Sequence, residues 1–325
     1  MKENYSINMK NIVSKSTPKN HQEMCLLFFL LWHQEIRAEL IWKEFEDEIR
    51  YKNRFFPKGE LLDILKNYSS TMETVLISGT ILYRARKYET DKVVLEKELK
   101  QICKLMNELL PDFKISFDEL FIKPKLELAM AQIYGDKEKF DNYSKAYSKI
   151  MKKKKKFWGY NEKNSDAPSK EIVGDGRANP SNISYLYVAE NIETAIMEVR
   201  PIKGQLVSVA KIKIIEDIKL FDFCKDMSTI DNLLAKVNIQ IISKKFSEPN
   251  CEGNKKYYTT QYLCEYIKEL GFDGIKFYSS LKNNGVNIVL FDTDSKTKKY
   301  KILNSSVYNI DSIEINFNKI LPTDS

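Results

Sequence analysis

Histidine is almost missing from this chain of 325 residues: only His21 and His33 occur. Histidine-based metal sites and histidine-dependent triads are therefore excluded from everything downstream of the N-terminal region. Cysteine is sparse and scattered. Cys25, Cys103, Cys224, Cys251 and Cys264 make an odd set with no C-x-x-C pair, so neither a disulfide framework nor a zinc site is indicated and no metal is expected. That usage fits a reduced, cytoplasmic protein. Glycine (11) and proline (9) are few, so low-complexity sequence does not dominate. Membrane-length apolar runs are missing as well. Met24–Trp32 (MCLLFFLLW) is nine residues long, whereas a bilayer span needs roughly 20. It reads as a buried helix face with no membrane partner, and the polar N-terminus carries no secretory signal.

What the chain does have is an ordinary globular balance, 43% hydrophobic and 30% charged residues, enough for one large domain or two smaller ones. The formal net charge of +7 suits a partner that carries phosphates, although solubility alone accounts for an excess this small. Five lysines in a row, Lys152–Lys156, precede Phe157, Trp158 and Tyr160. Basic and aromatic residues together can bind nucleic acid. A single run is more simply a solvated helix end with its cations at the terminal carbonyls, so nucleic acid is not the expected partner.

Residues 1–19 read as a polar tail. From 20 to 75 the apolar residues recur at helical intervals, with Phe45 and Ile49 extending the first stripe and a second helix over about 59–75, which gives a helical N-terminal domain. Residues 76–325 form the second domain. It begins with a β-like segment, Ile77–Arg86 (ISGTILYRAR), whose two arginines can offer guanidinium forks to a diphosphate or simply make surface ion pairs. Inside this domain, residues 91–151 read as a helical insertion. Ile102, Met106 and Leu109 recur there at three and four, and further helices are expected at about 112–126 and 137–150.

The densest chemistry lies in Gly174–Pro201, GDGRANPSNISYLYVAENIETAIMEVRP. Gly174 and Gly176 flank Asp175 and permit positive φ and close backbone approach; Arg177 and Asn179 follow. Ile183–Val188 reads as a strand with Tyr185 and Tyr187 on one face. Asn191 is the expected N-cap of a helix whose buried stripe is Ile192, Ala195, Ile196 and Val199. Glu198 falls just off that stripe, where a carboxylate can edge a pocket. Alone it would be read as a solvated residue. Downstream, Gln205–Ile215 and Leu220–Phe223 alternate as strands, and Tyr257–Leu270 is a helix closed by Gly271. Phe272–Phe277, Val286–Phe291, Tyr300–Leu303 and Ile310–Phe317 read as further strands, so the fold class is α+β.

Three segments together, LYRAR at 82–86, the stretch 174–201 and GFDGIKFYSSLKNNGVNIVLF at 271–291, resemble the RES-domain family, named for an arginine, a glutamate and a serine. The resemblance spans residues 77–304, with 91–151 inserted. It implies an ADP-ribosyltransferase-like fold, in which mixed sheets form an NAD cleft. It also implies a toxin of a toxin–antitoxin pair that depletes NAD by hydrolysis or phosphorolysis, or that transfers ADP-ribose. NAD is then the substrate and an antitoxin the protein partner, with a homo-oligomer allowed. Carried over by position, the arginine falls on Arg84, with Arg86 as the weaker candidate, and the glutamate on Glu198. The pocket tyrosine falls on Tyr187, preferred over Tyr185 by its spacing to Glu198. The serine falls on Ser279, with Ser280 beside it and Tyr278 where many relatives have proline. Arg177, in the Gly-Arg-x-Asn turn, can also line the pocket.

The chemistry suits such a set. Cleaving the nicotinamide–ribose bond builds positive charge on the sugar, which a fixed carboxylate stabilises. Nicotinamide departs neutral from a cationic ring, so no strong general acid is needed and a site without histidine is adequate. The leading expectation is an NAD glycohydrolase or phosphorylase, with Arg84 on the diphosphate, Tyr187 against the nicotinamide and Ser279 on the ribose or carboxamide. One alternative is a mono-ADP-ribosyltransferase that modifies a protein or nucleic acid. Another is a non-catalytic nucleotide- or RNA-binding module that uses Lys152–Lys156.

Overall fold

The computed structural model describes residues 20–88, 92–112, 114, 123–152, 156–248 and 257–314. The expected tail at 1–19, most of the helix expected at 112–126, the middle of the lysine run, Cys251 and the end of the strand expected at 310–317 lie outside them.

Helix α1 (His21–Asp47) starts at Asn20, whose side chain accepts the Glu23 N–H, and it runs into a π-helical turn, Glu48–Lys52. Helix α2 (Glu60–Asn67) is shorter than expected, because the chain then enters strand β1 (Glu73–Leu76). A turn with Gly79 at φ 94° separates β1 from β2 (Ile81–Lys87). The single β segment expected at 77–86 is therefore a turn and one strand. Helices α3 (Lys92–Leu109), α4 (Lys123–Gly135) and α5 (Lys137–Lys152) form the insertion and pack on one another about Met106, Leu110, Ala129 and Ile133. A short α6 (Glu162–Ser165) follows, then β3 (Leu186–Ala189), α7 (Ile192–Glu198), β4 (Leu206–Ile214) and β5 (Ile218–Asp222). The chain continues through α8 (Leu233–Ser247), α9 (Tyr258–Glu269), β6 (Gly274–Tyr278), β7 (Val286–Leu290) and β8 (Tyr300–Asn309).

The strands form one eight-stranded sheet in the order β1-β5-β6-β7-β3-β2-β4-β8, antiparallel throughout except between β5 and β6. Strands β2 and β4 pair at seven positions, whereas β2 and β3 meet at one, Tyr83 with Ala189. The separate small sheets expected around a cleft are thus two halves of one sheet that opens between β3 and β2. Beside that opening α7 packs Ile192, Ile196 and Val199 against Tyr83 and Ala85.

Strand alternation sorts the side chains onto two faces. On one, α1, α2, α8 and α9 bury Phe45, Leu65, Ile239 and Leu263 with Phe221, Ile275, Phe277 and Val289 of the sheet. The other face carries a second core that includes Leu82, Val188, Ile212, Ile288 and Tyr300. The N-terminal helices share the first core with the sheet, and the boundary expected at 75/76 falls within β1. One expectation is overturned here. The run Met24–Trp32 is not a buried helix face: only Leu31 in it is buried, and Phe29 and Trp32 are 57% and 59% exposed. Beyond Leu31 the buried residues of α1 begin at Ala38, so its first half projects from the core. No described helix is long and apolar enough to cross a membrane.

Candidate functional site

The site is built by the way α7 starts and stops. Asn191 caps its N-terminus, with Oδ1 accepting the Thr194 N–H at 2.8 Å. The apolar stripe then fixes its rotation on the sheet. It ends where Arg200 takes φ 47° ahead of Pro201. Glu198 is the last helical residue, and its side chain is exposed.

Two donors hold that carboxylate, and both use the same oxygen. Ser279 Oγ donates to Oε1 at 2.6 Å and Asn287 Nδ2 at 2.7 Å. Among the described residues none donates to Oε2. Asn287 is buried on β7, opposite Ala189. Ser279 opens a turn in which its Oγ also accepts the N–H groups of Leu281 and Lys282 at 3.1 and 3.2 Å. With its lone pairs so engaged, the hydroxyl has its single proton left for Glu198. The turn closes through Ser279 N–H to Gly285 O at 2.8 Å. Glycine is needed there because a Cβ would lie 2.8 Å from Thr194 Oγ1. Ser280 is exposed beside this arrangement and makes none of these contacts, so Ser279 is the serine that meets Glu198.

Tyr187 projects on the same sheet face, since it alternates with Ala189 and pairs with Val289, two residues from Asn287. Its hydroxyl accepts the Ala178 N–H at 3.0 Å and donates to Asn179 Oδ1 at 2.7 Å. Burial raises its pKa. This phenol clamps the turn 176–179. Gly176 is required because a Cβ would lie 2.3 Å from Asn179 Oδ1 and 2.7 Å from the Tyr187 hydroxyl. Close approach is the reason, not backbone handedness: the positive-φ glycines among the described residues are Gly79, Gly204 and Gly271. Tyr185 lies in the helix-covered core, where its hydroxyl donates to Glu265.

The clamped turn aims Arg177 at the C-terminus of α8. Its guanidinium donates to Phe246 O and, at 2.6 Å, to Glu248 O, a favourable place for a cation. Its Nε is buried without a partner. The adjacent Ser247 Oγ donates to Tyr278 O at 2.6 Å. One network therefore runs from Arg177 through the end of α8 to Tyr278, Ser279 and Glu198.

Arg84 and Arg86 do not join it. They alternate with Tyr83 and Ala85, which pack on α7, so they project from the opposite face. Arg84 lies there near Asp166 and Tyr300, with Nη1 buried and unpartnered. Its pKa is lowered to about 10, chiefly by desolvation and then by Arg86. Arg86 donates to Asn164 O and sits 5.5 Å over the Tyr160 ring. The sheet itself separates these arginines from Glu198. In the aromatic segment after the lysine run, the Trp158 N–H donates to Ser305 O at 2.9 Å and the Tyr160 N–H to Ser208 Oγ at 2.9 Å. That segment is docked on the sheet.

Asn287 is the site residue that sequence reasoning missed. The available signal was an amide inside the apolar strand VNIVLF, since a polar group is buried there only with a partner.

Residues 153–309 match the family model described as RES domain. That span contains Arg177, Tyr187, Glu198 and Ser279 and leaves out Arg84 and Arg86. No curated protein matches the chain. Among solved structures it is similar to the M. tuberculosis MbcT–MbcA toxin–antitoxin complex, at 14% identity and a TM-score of 0.28, over 41% of this chain and 72% of that one.

Proposed function

We propose that the segment matched by the RES domain model, residues 153–309, cleaves the nicotinamide–ribose bond of NAD as a glycohydrolase or phosphorylase. The observation that carries this reading is the carboxylate of Glu198. Ser279 and Asn287 fix one of its oxygens, and the other is left open at an exposed position beside the gap in the sheet. A carboxylate fixed in this way can face positive charge developing on a ribose without reorganising.

In the reaction the C1″–N bond breaks and its electron pair leaves with nicotinamide, whose ring nitrogen becomes neutral. Water or phosphate then bonds C1″; water releases a proton in doing so. Glu198 stabilises the charged sugar and orients the ribose hydroxyls, while Ser279 and Asn287 act as positioning residues. Arg177 takes the diphosphate in place of Arg84. It is on the Glu198 side, and its buried Nε has no protein partner. Tyr187 acts by holding the turn that presents Arg177. The toxin role and a cognate antitoxin belong to the same reading and are implied by the family resemblance.

The test is to incubate the full chain with adenine-labelled NAD, with and without phosphate, and to follow nicotinamide, ADP-ribose and ADP-ribose 1″-phosphate. Glu198→Gln should lower nicotinamide release by about 10²–10³-fold, the size typical of losing one transition-state electrostatic contact, with an unchanged circular dichroism spectrum. Full turnover in that folded variant would sink the assignment. Label appearing on a macromolecule would identify transfer instead.

A further inference from the structure

From Met24 to Gln34, α1 has no formally charged side chain, yet Met24, Leu26, Phe28, Phe29, Leu30 and Trp32 are all exposed. At 100° per residue they cover more than one side of the helix. Met24, Phe28 and Trp32 form one row at four-residue spacing, and Leu26 and Leu30 form another. Contiguous apolar surface on this scale marks an interaction site. Together with the exposed Ile36 and Leu40, its area is on the order of the 800 Å² that each partner gives to a standard interface.

The second half of the same helix borders a groove of about 600 Å³. Trp32, Ile36, Leu40 and Trp42 line it together with Glu35, Glu39, Lys43 and Glu46 of α1 and Lys245 of α8. An apolar ridge and an apolar groove with charged residues at its border thus lie end to end on one element.

We propose that two copies of this chain pair here, antiparallel. Each lays the Met24–Trp32 part of its α1 along the groove of the other. Because ridge and groove share a helix, a two-fold axis crossing near Trp32 satisfies both at once, which is the self-complementarity that an isologous dimer requires. Rows at four-residue spacing interlock with equivalent rows. The ridge itself carries no charge from Met24 to Gln34, and both signs of charge (Glu35, Glu39, Glu46, Lys43 and Lys245) flank the apolar strip Trp32, Ile36 and Leu40 of the groove.

The test is the mass of the full chain in solution, by sedimentation equilibrium in the micromolar range. The expected mass is twice 38.0 kDa. Phe29→Glu on the ridge and Leu40→Glu on the groove should each give a monomer with an unchanged circular dichroism spectrum. Mixing the two variants should recover part of the dimer, since one ridge–groove contact is then intact. A monomeric wild type, or a dimer that survives Phe29→Glu, overturns the proposal. So does a monomeric wild type that cosediments with phosphatidylglycerol vesicles, which would assign the surface to a membrane. None of these readouts depends on NAD turnover.

Discussion

Glu198 and Asp166 are each held by hydrogen-bond donors on opposite faces of the same sheet, Glu198 by two and Asp166 by three, and they differ in what is left free. Asp166 Oδ1 accepts the Tyr300 hydroxyl at 2.7 Å and the Ala167 N–H at 2.8 Å, and Oδ2 meets Lys298 Nζ at 2.5 Å. Both oxygens are engaged, with the half-buried Arg84 nearby. Glu198 has both donors on one oxygen and the other open. The number of donors is similar, so it does not separate structure from function; their distribution over the two oxygens does. A saturated carboxylate serves packing, while a half-saturated and exposed one is prepared for a ligand.

The largest effect expected from this contrast is on stability. Asp166→Ala removes the acceptor of the Tyr300 hydroxyl, the ion-pair partner of Lys298 and the negative charge that offsets the desolvation of Arg84, a combined loss of about 3 kcal/mol. Urea unfolding should show that loss, while nicotinamide release per folded molecule stays at the wild-type level. Unchanged stability, or a selective loss of turnover, would erase the distinction between the two faces.

The arginines sharpen the comparison at a somewhat smaller scale. Arg177→Met should raise KM for NAD and lower kcat/KM by about 10²-fold, equivalent to about 2.7 kcal/mol of charge-assisted bonding. Arg84→Met should leave kcat/KM within about twofold, because its side chain lies across the sheet from Glu198. Steady-state kinetics on the two variants decide between them. The reverse ranking would return the diphosphate to Arg84.

How much of this was legible in the sequence follows from the range of each signal. Local signals survived: the Asn191 cap, the Ile192–Val199 stripe, the Gly271 helix end and the tyrosine pair all depend on neighbours within a few residues. Helix α8 was not legible. Its buried centre is rich in Ile and Val (Val237, Ile239, Ile241 and Ile242), residue types that favour strands as much as helices. The exposure of Met24–Trp32 was also hidden, since an apolar stripe has the same period whether this chain or another covers it. The position of Arg84 across the sheet from Glu198 has the clearest cause. Adjacent strand positions face opposite ways, and motif spacing identifies a strand without saying which of its faces meets α7. Asn287 and Glu198 lie 89 residues apart in the chain, and only the folded sheet brings them together.

The smallest effects concern how Glu198 is held. Ser279→Ala removes one of two donors to Oε1, and Asn287 still pins the carboxylate. Turnover should therefore fall only about tenfold, or about 1.4 kcal/mol, the scale of one hydrogen bond to a charged group. Ser280→Ala should have no measurable effect, because Ser280 shares none of those contacts. The informative variant is the double, Ser279→Ala with Asn287→Ala. If the two donors act on one oxygen as alternative anchors, losing both frees the carboxylate, and the combined loss exceeds the product of the single losses. Strict multiplicativity in kcat would mean that each donor acts on the substrate by itself, and that Glu198 does not depend on them for its place.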